Sequence, residues 1–454
     1  MENNQKLDLE ALLIDKLQGK LSLLQPQAER EATVVVALEE ILRNDTSGQF
    51  KNNSDFDTPE KVIEEAKNFL SYGIIDELLC DSEIEDIVIN SLKTIYVHHA
   101  QKGFSATGKR FQSHKELDLF VRKLLLLGGR NTQIKKIINL ELPNLGGRVN
   151  VAMSSFGPQL TITKARLDPL SILDLVSRKT LTFEVAAQLW LYLEGLSIRP
   201  ANIIIAGGPG TGKTTLLNAL FSFVPETDRM VIIEDTLELN TFLEESCSRL
   251  ESDDDLSLAD LVKNSLRMRP ERIVIGEVRG AEAQDMITAA NVGKYCISTI
   301  HALTSREAIL RLQNEPMNVP EVLVNLIDVF VVLKRYHVQD KLFRVIDEVS
   351  ESSGMEQRVV LLSQIFKYDY EQKNIRAVST STVFRDRLAQ QSGLIPKDII
   401  DEINIRAFIL KTLYDRKLTT MKEVTTFCRA YNKNPKEALA GLGFTREKLL
   451  GQRK

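Results

Sequence analysis

Residues 202–215 read Asn-Ile-Ile-Ile-Ala-Gly-Gly-Pro-Gly-Thr-Gly-Lys-Thr-Thr. The opening apolar run predicts a buried strand over 202–206, and the glycines after it predict a tight turn. Gly207, Gly210 and Gly212 let the backbone bend sharply and bring its N–H groups onto an anion. A helix is expected from Lys213, so the positive end of its dipole faces the turn. A plain strand-to-helix connector would need only the glycines and has no reason to carry Lys-Thr-Thr at the helix start. The stretch Gly208, Pro209, Gly210, Thr211, Gly212, Lys213, Thr214, Thr215 is therefore expected to cradle the phosphates of ATP. Lys213 should reach the β- and γ-phosphates, and the Thr214 hydroxyl should bind Mg2+.

Downstream, apolar runs alternate with helical patterns. Strands are expected at Met230–Glu234, Arg272–Gly276 and Tyr295–Thr299. Helices are expected at Ser257–Met268, where Asp260 is placed for a capping box, and around Glu282–Ala290. Such alternation implies an α/β fold with a parallel sheet covered on both faces. Two more strands, Val329–Lys334 and Leu342–Val349, extend it. Three of the strands end on polar residues: Glu234-Asp235, Glu277 and, after Thr299-Ile300, His301. One strand-end acid is usually a solvated turn residue, but hydrolysis needs carboxylates at this edge, for Mg2+ and for the attacking water.

Upstream, Phe183–Leu193 reads as a helix. The region from Glu60 to about Ala165 reads as mixed α and β, with strands at Ile84–Asn90, Thr94–His98, Arg148–Met153 and Leu160–Lys164 and a helix at Lys115–Leu127. The expected organisation is a helical region at 1–50, a smaller α+β domain at 60–165 and a hinge at 166–182. An ATPase domain at 183–370 and a helical extension at 377–454 follow. A polar stretch, Asn44–Pro59, reads as a linker and Leu167–Pro169 as part of the hinge.

The chain has 454 residues, too many for one ordinary core, and a net charge of −4, which argues against a dedicated nucleic-acid binder. Cys80, Cys247, Cys296 and Cys428 lie too far apart for a zinc pair and are expected as buried, reduced thiols. No apolar run reaches the length of a membrane span, and the N-terminus lacks the pattern of a signal peptide, so a cytoplasmic protein is expected. His98-His99 suggests metal only until strand geometry is considered, because adjacent strand residues point to opposite faces. Trp190 is expected to be packing.

The run Ile233-Glu-Asp-Thr-Leu-Glu238 resembles the aspartate box of the type II/type IV secretion and pilus-assembly ATPase superfamily. Arg267–Glu282 is similar to that superfamily's extended Walker B segment, and Ser298-Thr-Ile-His-Ala302 to its histidine box. Order and spacing match, over roughly residues 70–365. The resemblance implies a RecA-like P-loop domain with a parallel-sheet core, preceded by the smaller α+β domain and flanked by helical regions. It implies a homohexameric ring in which the two domains close on ATP. Glu277 would then polarise the attacking water and help hold Mg2+ and Glu234 would assist, or the two glutamates would exchange these roles; His301 would sense the γ-phosphate, and Arg279 would line the site. Gly147-Arg148-Val-Asn150 matches an arginine motif of the N-terminal domain, making Arg148 a candidate for stabilising transition-state charge. The second such motif departs: the family's arginine position is Thr163, leaving Lys164 or Arg166 as substitutes. Lys supplies only a point charge there.

The family's four-cysteine zinc insertion is missing, and Gly354-Met-Glu356 resembles the archaeal pilus and Tad-like branch. The resemblance therefore implies a motor held at the inner face of the membrane by a polytopic platform protein. It would act on pilin-like subunits indirectly, without direct nucleic-acid contact. A conjugation or secretion traffic ATPase is the alternative, and a RecA-type nucleic-acid motor a weaker one.

Overall fold

The computed structural model describes the chain apart from residues 1, 2, 23, 24, 51–55, 57, 101, 131, 133–135, 143–146, 165–168, 241–244, 254, 339, 340, 381, 382 and 452–454. Arg166, the hinge residues 166–168, Asp254 and residues 51–55 and 57 of the expected linker thus lie outside the described residues. The chain divides into two compact units, 1–167 and 168–454.

In the first unit, six strands form one antiparallel sheet: β1 (Ile84–Asn90), β2 (Tyr96–His99), β3 (Gly103–Ala106), β4 (Ile137–Glu141), β5 (Arg148–Ser154) and β6 (Gly157–Thr163), in the order β3-β2-β1-β6-β5-β4. Alternation decides which face is buried: Ile87, Ile89, Val149, Val151, Leu160 and Ile162 point to one side. The helix His114–Leu127, capped by Ser113, covers that side with Leu117, Val121 and Leu124. Its other flank, Leu119, Leu126 and Leu127, packs on the helices Asn3–Leu17, Gln27–Asn44 and Pro59–Leu70. One helix thus joins two cores, which is why it is so evenly apolar. Within this sheet His98 Nδ1 lies 3.2 Å from Glu85 Oε2, and no metal-binding cluster occurs among the described residues.

The second unit holds nine strands: β7 (Ile203–Gly207), β8 (Met230–Glu234), β9 (Cys247–Glu251), β10 (Arg272–Val278), β11 (Tyr295–Ile300), β12 (Val329–Val338), β13 (Lys341–Glu356), β14 (Val359–Asp369) and β15 (Asn374–Ala377). Their order is β15-β14-β13-β12-β7-β11-β10-β8-β9. The pairs from β12 through β9 are parallel, and β13, β14 and β15 add on antiparallel. Consecutive residues of β7 enter different cores: Ile203 and Ile205 face one, Ile204 and Ala206 the other. A strand buried on both faces must be apolar throughout, and that is the continuous run quoted at the outset. The expected helix at Ser257–Met268 is an α-helix over Leu258–Ser265 with a 3-10 turn after it, and Ser257 and Asp260 do form a capping box.

Two strands run well past their expected ends: β12, expected to stop at Lys334, and β13, expected to stop at Val349, reach Val338 and Glu356. β12 continues to Val338, although only Val329–Leu333 pair with β7. Its last residues pair with β13 instead, so a two-stranded ribbon projects beyond the C-terminal edge of the parallel strands. β9 (Cys247–Glu251) is a strand that no expected element covers.

The helices Val383–Ser392, Pro396–Asp415 and Met421–Lys433 close the same core as the helix Phe183–Glu194. Trp190 there is fully buried, stacked on Phe223 at 5.3 Å and 4.9 Å from the Arg406 guanidinium, in keeping with its expected packing role. Cysteine burial corrects one expectation: Cys296 and Cys428 are buried, but Cys80 is exposed and Cys247 only half-buried. Cys80 ends a one-turn helix, and Cys247 begins an edge strand with one open face. Among the described residues no helix is long and apolar enough to cross a membrane.

Candidate active site

The glycine loop is built by close approach. A Cβ on Gly207 would lie 2.5 Å from Thr211 Oγ1 and 2.9 Å from Leu333 O, so only glycine fits at the strand end. Gly210 (φ +67°) and Gly212 (φ +93°) adopt the left-handed conformation that side chains disfavour. Thr211 Oγ1 donates to Gly208 O at 2.9 Å, and the helix Lys213–Leu220 starts directly behind Gly212. Pro209 and Gly210 form the exposed crest, while Thr214 and Thr215 are half-buried on the first helical turn.

Lys213 is the centre of the arrangement. The residue is 8% exposed, and its ammonium donates to Gly207 O (3.1 Å) and Gly208 O (3.2 Å). It also lies 3.4 Å from His301 Nδ1. Burial lowers the Lys213 pKa, with the Glu277 carboxylate acting in the opposite sense. An ammonium at Nδ1 leaves the ring proton on Nε2, and that nitrogen sits 2.8 Å from Glu277 Oε1. Burial, followed by the Lys213 charge, lowers the His301 pKa, so its imidazole is neutral at pH 7.

Glu277 projects from the bulged end of β10, where register with β11 slips between Ile275 and Val278. Thr299 Oγ1 steadies the bulge by donating to Gly276 O at 2.7 Å. Glu277 Oε2 accepts from Arg279 at 2.7 Å, and the same guanidinium lies 3.6 Å from Asp235 Oδ2. Despite the His301 contact, which has ion-pair distance but not hydrogen-bond alignment, Glu277 Oε1 is buried without a hydrogen bond among the described residues. A buried carboxylate oxygen of this kind, with the Thr214 hydroxyl on the adjoining helix start, suits a hard divalent cation such as Mg2+.

Glu234 ends β8 next to Gly276, at 3% exposure. Its Oε1 accepts from Glu238 N (2.9 Å) and Leu239 N (3.0 Å), and Oε2 lies 3.4 Å from Arg249. Burial nevertheless raises its pKa. A cavity of about 500 Å3 opens beside these groups, lined by Pro209, Glu277, Arg279, His301 and Arg311. Glycine loop, Lys213, His301, Glu277 and Arg279 are thus brought together, with Glu234 one strand away.

The candidates of the first unit occupy one strand pair. Arg148 opens β5 at an exposed position and is the register partner of Thr163 on β6. The Lys164 ammonium donates to Leu78 O (3.2 Å) and Asp81 O (2.5 Å) within its own unit.

A family model described as type II/IV secretion system protein matches residues 132–353, which include every candidate named above. Two uncharacterized proteins of Methanocaldococcus jannaschii are similar. One is 29% identical over 389 residues, covering 82% of this chain and 70% of that protein. The other is 30% identical over 263 residues, covering 56% of this chain and 96% of its own length. The conjugal transfer protein TrbB of Rhizobium radiobacter is 30% identical over 270 residues, covering 57% of this chain and 81% of TrbB. The chain belongs to the type II/IV secretion system protein family.

In this secretion-family chain, further side chains to which the sequence reading gave no role stand beside the candidate site. Glu282 Oε1 accepts from Arg279 N and Gly280 N at 2.5 and 2.7 Å, shaping the turn that presents Arg279. Arg249, on β9, is the cation facing Glu234. On the far side of the loop, Arg344 Nε donates to Gly210 O at 2.9 Å, and Arg335 stands so close that a Cβ on Gly210 would lie 2.9 Å from it. Glu282 falls inside the quoted Walker B segment; the arginines stand on strands whose spacing resembles any edge strand.

Proposed function

We propose that this chain is an ATP-hydrolysing motor that powers assembly of a pilus-like filament or secretion. The observation that carries the reading is the line of contacts Lys213–His301–Glu277–Arg279 at the foot of the glycine loop. These groups match what phosphoryl transfer to water needs: a cation for the transferring phosphoryl, a carboxylate to orient the water, and a second cation to balance it.

In this account Lys213 exchanges the carbonyls of Gly207 and Gly208 for the β- and γ-phosphates of ATP. His301, neutral at physiological pH, turns from Lys213 to the γ-phosphate and so reports whether it is present. Glu277 orients the attacking water, with Glu234 in support. Thr214 and Glu277 would hold Mg2+, which supplies neutralisation of the charge on the β- and γ-oxygens. Arg148, with Lys164, comes from the N-terminal domain to stabilise the transition state when the two domains close across a hinge near 166–182. The nine-stranded sheet is read as a RecA-like core, and the working particle as a ring of six copies.

The partner is a polytopic membrane platform protein, so the chain is placed at the inner face of the membrane through it. Likeness to the Methanocaldococcus proteins supports an archaeal branch of the family. Likeness to a conjugal transfer protein supports a second reading, a conjugation or type IV secretion traffic ATPase. Affinity isolation from native membranes tests the role. Recovery of a polytopic membrane protein with pilin-like subunits is expected for the filament motor, and recovery of conjugation components would favour the second reading. If soluble DNA-processing proteins come down alone, and DNA stimulates turnover, both readings fall.

A further inference from the structure

The ribbon beyond the parallel sheet places two cations beside the glycine loop that the hydrolytic machinery does not use. Arg335 on β12 and Arg344 on β13 are direct register partners. Like charges directly opposite across an antiparallel pair repel, so this pairing costs stability unless an anion lies between or beside them. Strand alternation puts Arg335 and His337 on one face of β12, with Tyr336 on the other, stacked on Phe343 at 5.5 Å. The arginine face is turned to the loop. Arg344 Nε holds Gly210 O, its Cδ lies 3.8 Å from the place of a Gly212 Cβ, and Arg335 NH1 crowds the Cα of Gly210. Arg335 is exposed, and its guanidinium has no ion pair or hydrogen bond among the described residues.

Strand order separates this pair from the catalytic groups. β10 and β11, which carry Glu277 and lead to His301, lie on one side of β7; β12 and β13 lie on the other. The glycine loop at the end of β7 stands between the two sides.

We infer that Arg335 and Arg344 form a second cationic wall of the nucleotide site, contacting the part of the polyphosphate chain common to nucleoside di- and triphosphates. The inference rests on the nucleotide reading above and adds to it a division of labour. The β10–β11 side meets the γ-phosphate and the water, and the ribbon side holds what remains after hydrolysis. Guanidinium groups suit this task because their fork reaches two phosphate oxygens at once. An interaction made equally before, during and after the reaction raises affinity without raising kcat.

Arg335→Ala is the test, because Arg335 is exposed and its loss removes no internal contact. Binding of a fluorescent ADP, displacement by ATP, and steady-state turnover are measured on the full chain, with thermal unfolding in parallel. The variant is expected to bind ADP and ATP both about tenfold more weakly, to raise KM about as much, and to keep kcat. Its melting temperature without nucleotide is expected to equal or exceed that of the unaltered chain, because a repulsive pair has gone. Arg335→Lys should recover only part of the affinity. Unchanged affinity for both nucleotides would overturn the inference, as would a loss confined to ATP, which would put Arg335 at the γ-phosphate. If the unaltered chain binds neither nucleotide, the nucleotide reading itself fails, a result distinct from either.

Discussion

At the end of β8, Glu234 accepts two backbone N–H groups and faces Arg249, yet burial still holds its carboxyl above the ordinary value of 4.5. A raised folded-state value means that between 4.5 and the folded value the folded chain binds more protons than the unfolded one. Ionisation of Glu234 therefore costs stability as pH rises through that window. The cost is complete above the folded value and vanishes below the unfolded one. Glu234→Gln should be at least as stable as the unaltered chain near pH 7, with the advantage closing as pH falls below about 4.5. Denaturant midpoints across pH check this, and a difference independent of pH would contradict it. Lys213 adds a second prediction. Lys213→Ala should lose nucleotide affinity and turnover together, read by nucleotide titration and phosphate release, since the proposed mechanism gives the ammonium both binding and charge balance.

Between elements, the contact of β10 with β8 decides how the carboxylates sit. A Cβ on Gly276 would lie 3.0 Å from Glu234 Cγ, on the neighbouring strand. Gly276→Ala should therefore displace Glu234 and destabilise the chain by about 1–3 kcal/mol. Unfolding midpoint and turnover should both fall; an unchanged midpoint would mean that the strands part freely. The same strands were the most legible part of the chain. Met230–Glu234 and the run into Glu277 are buried on both faces, so their apolar composition leaves no competing reading. β9 went unread because Cys-Ser-Arg-Leu-Glu is an edge strand with neither alternation nor an apolar run. The ribbon was cut short at Lys334 because charged residues follow it, although they continue the β12 strand and carry Arg335. A motif search finds groups that act on phosphate through a fixed loop. It has no purchase on a cation delivered by register.

In the molecule as a whole, the C-terminal helices are part of the second unit's core. Arg406, 2% exposed, pairs with Glu194 at 2.7 Å and Glu402 at 3.1 Å, and lies over Trp190. Arg406→Ala would leave Glu194 buried without its cation, a loss of about 3–5 kcal/mol. The denaturation midpoint of the full chain should drop accordingly, whereas a surface-like loss of under about 1 kcal/mol would show these helices to be loosely attached. Sequence spacing indicated helices here but not their partner, because Glu194 and Arg406 are 212 residues apart. Hydrolysis at the glycine loop is probed at its carboxylate by Glu277→Gln. The substitution keeps shape and removes the charge proposed to orient water. Nucleotide binding and phosphate release are measured on the same preparation. ATP affinity should stay within a few-fold of the unaltered chain while turnover falls by about a hundredfold or more. Turnover close to that of the unaltered chain would contradict that expectation.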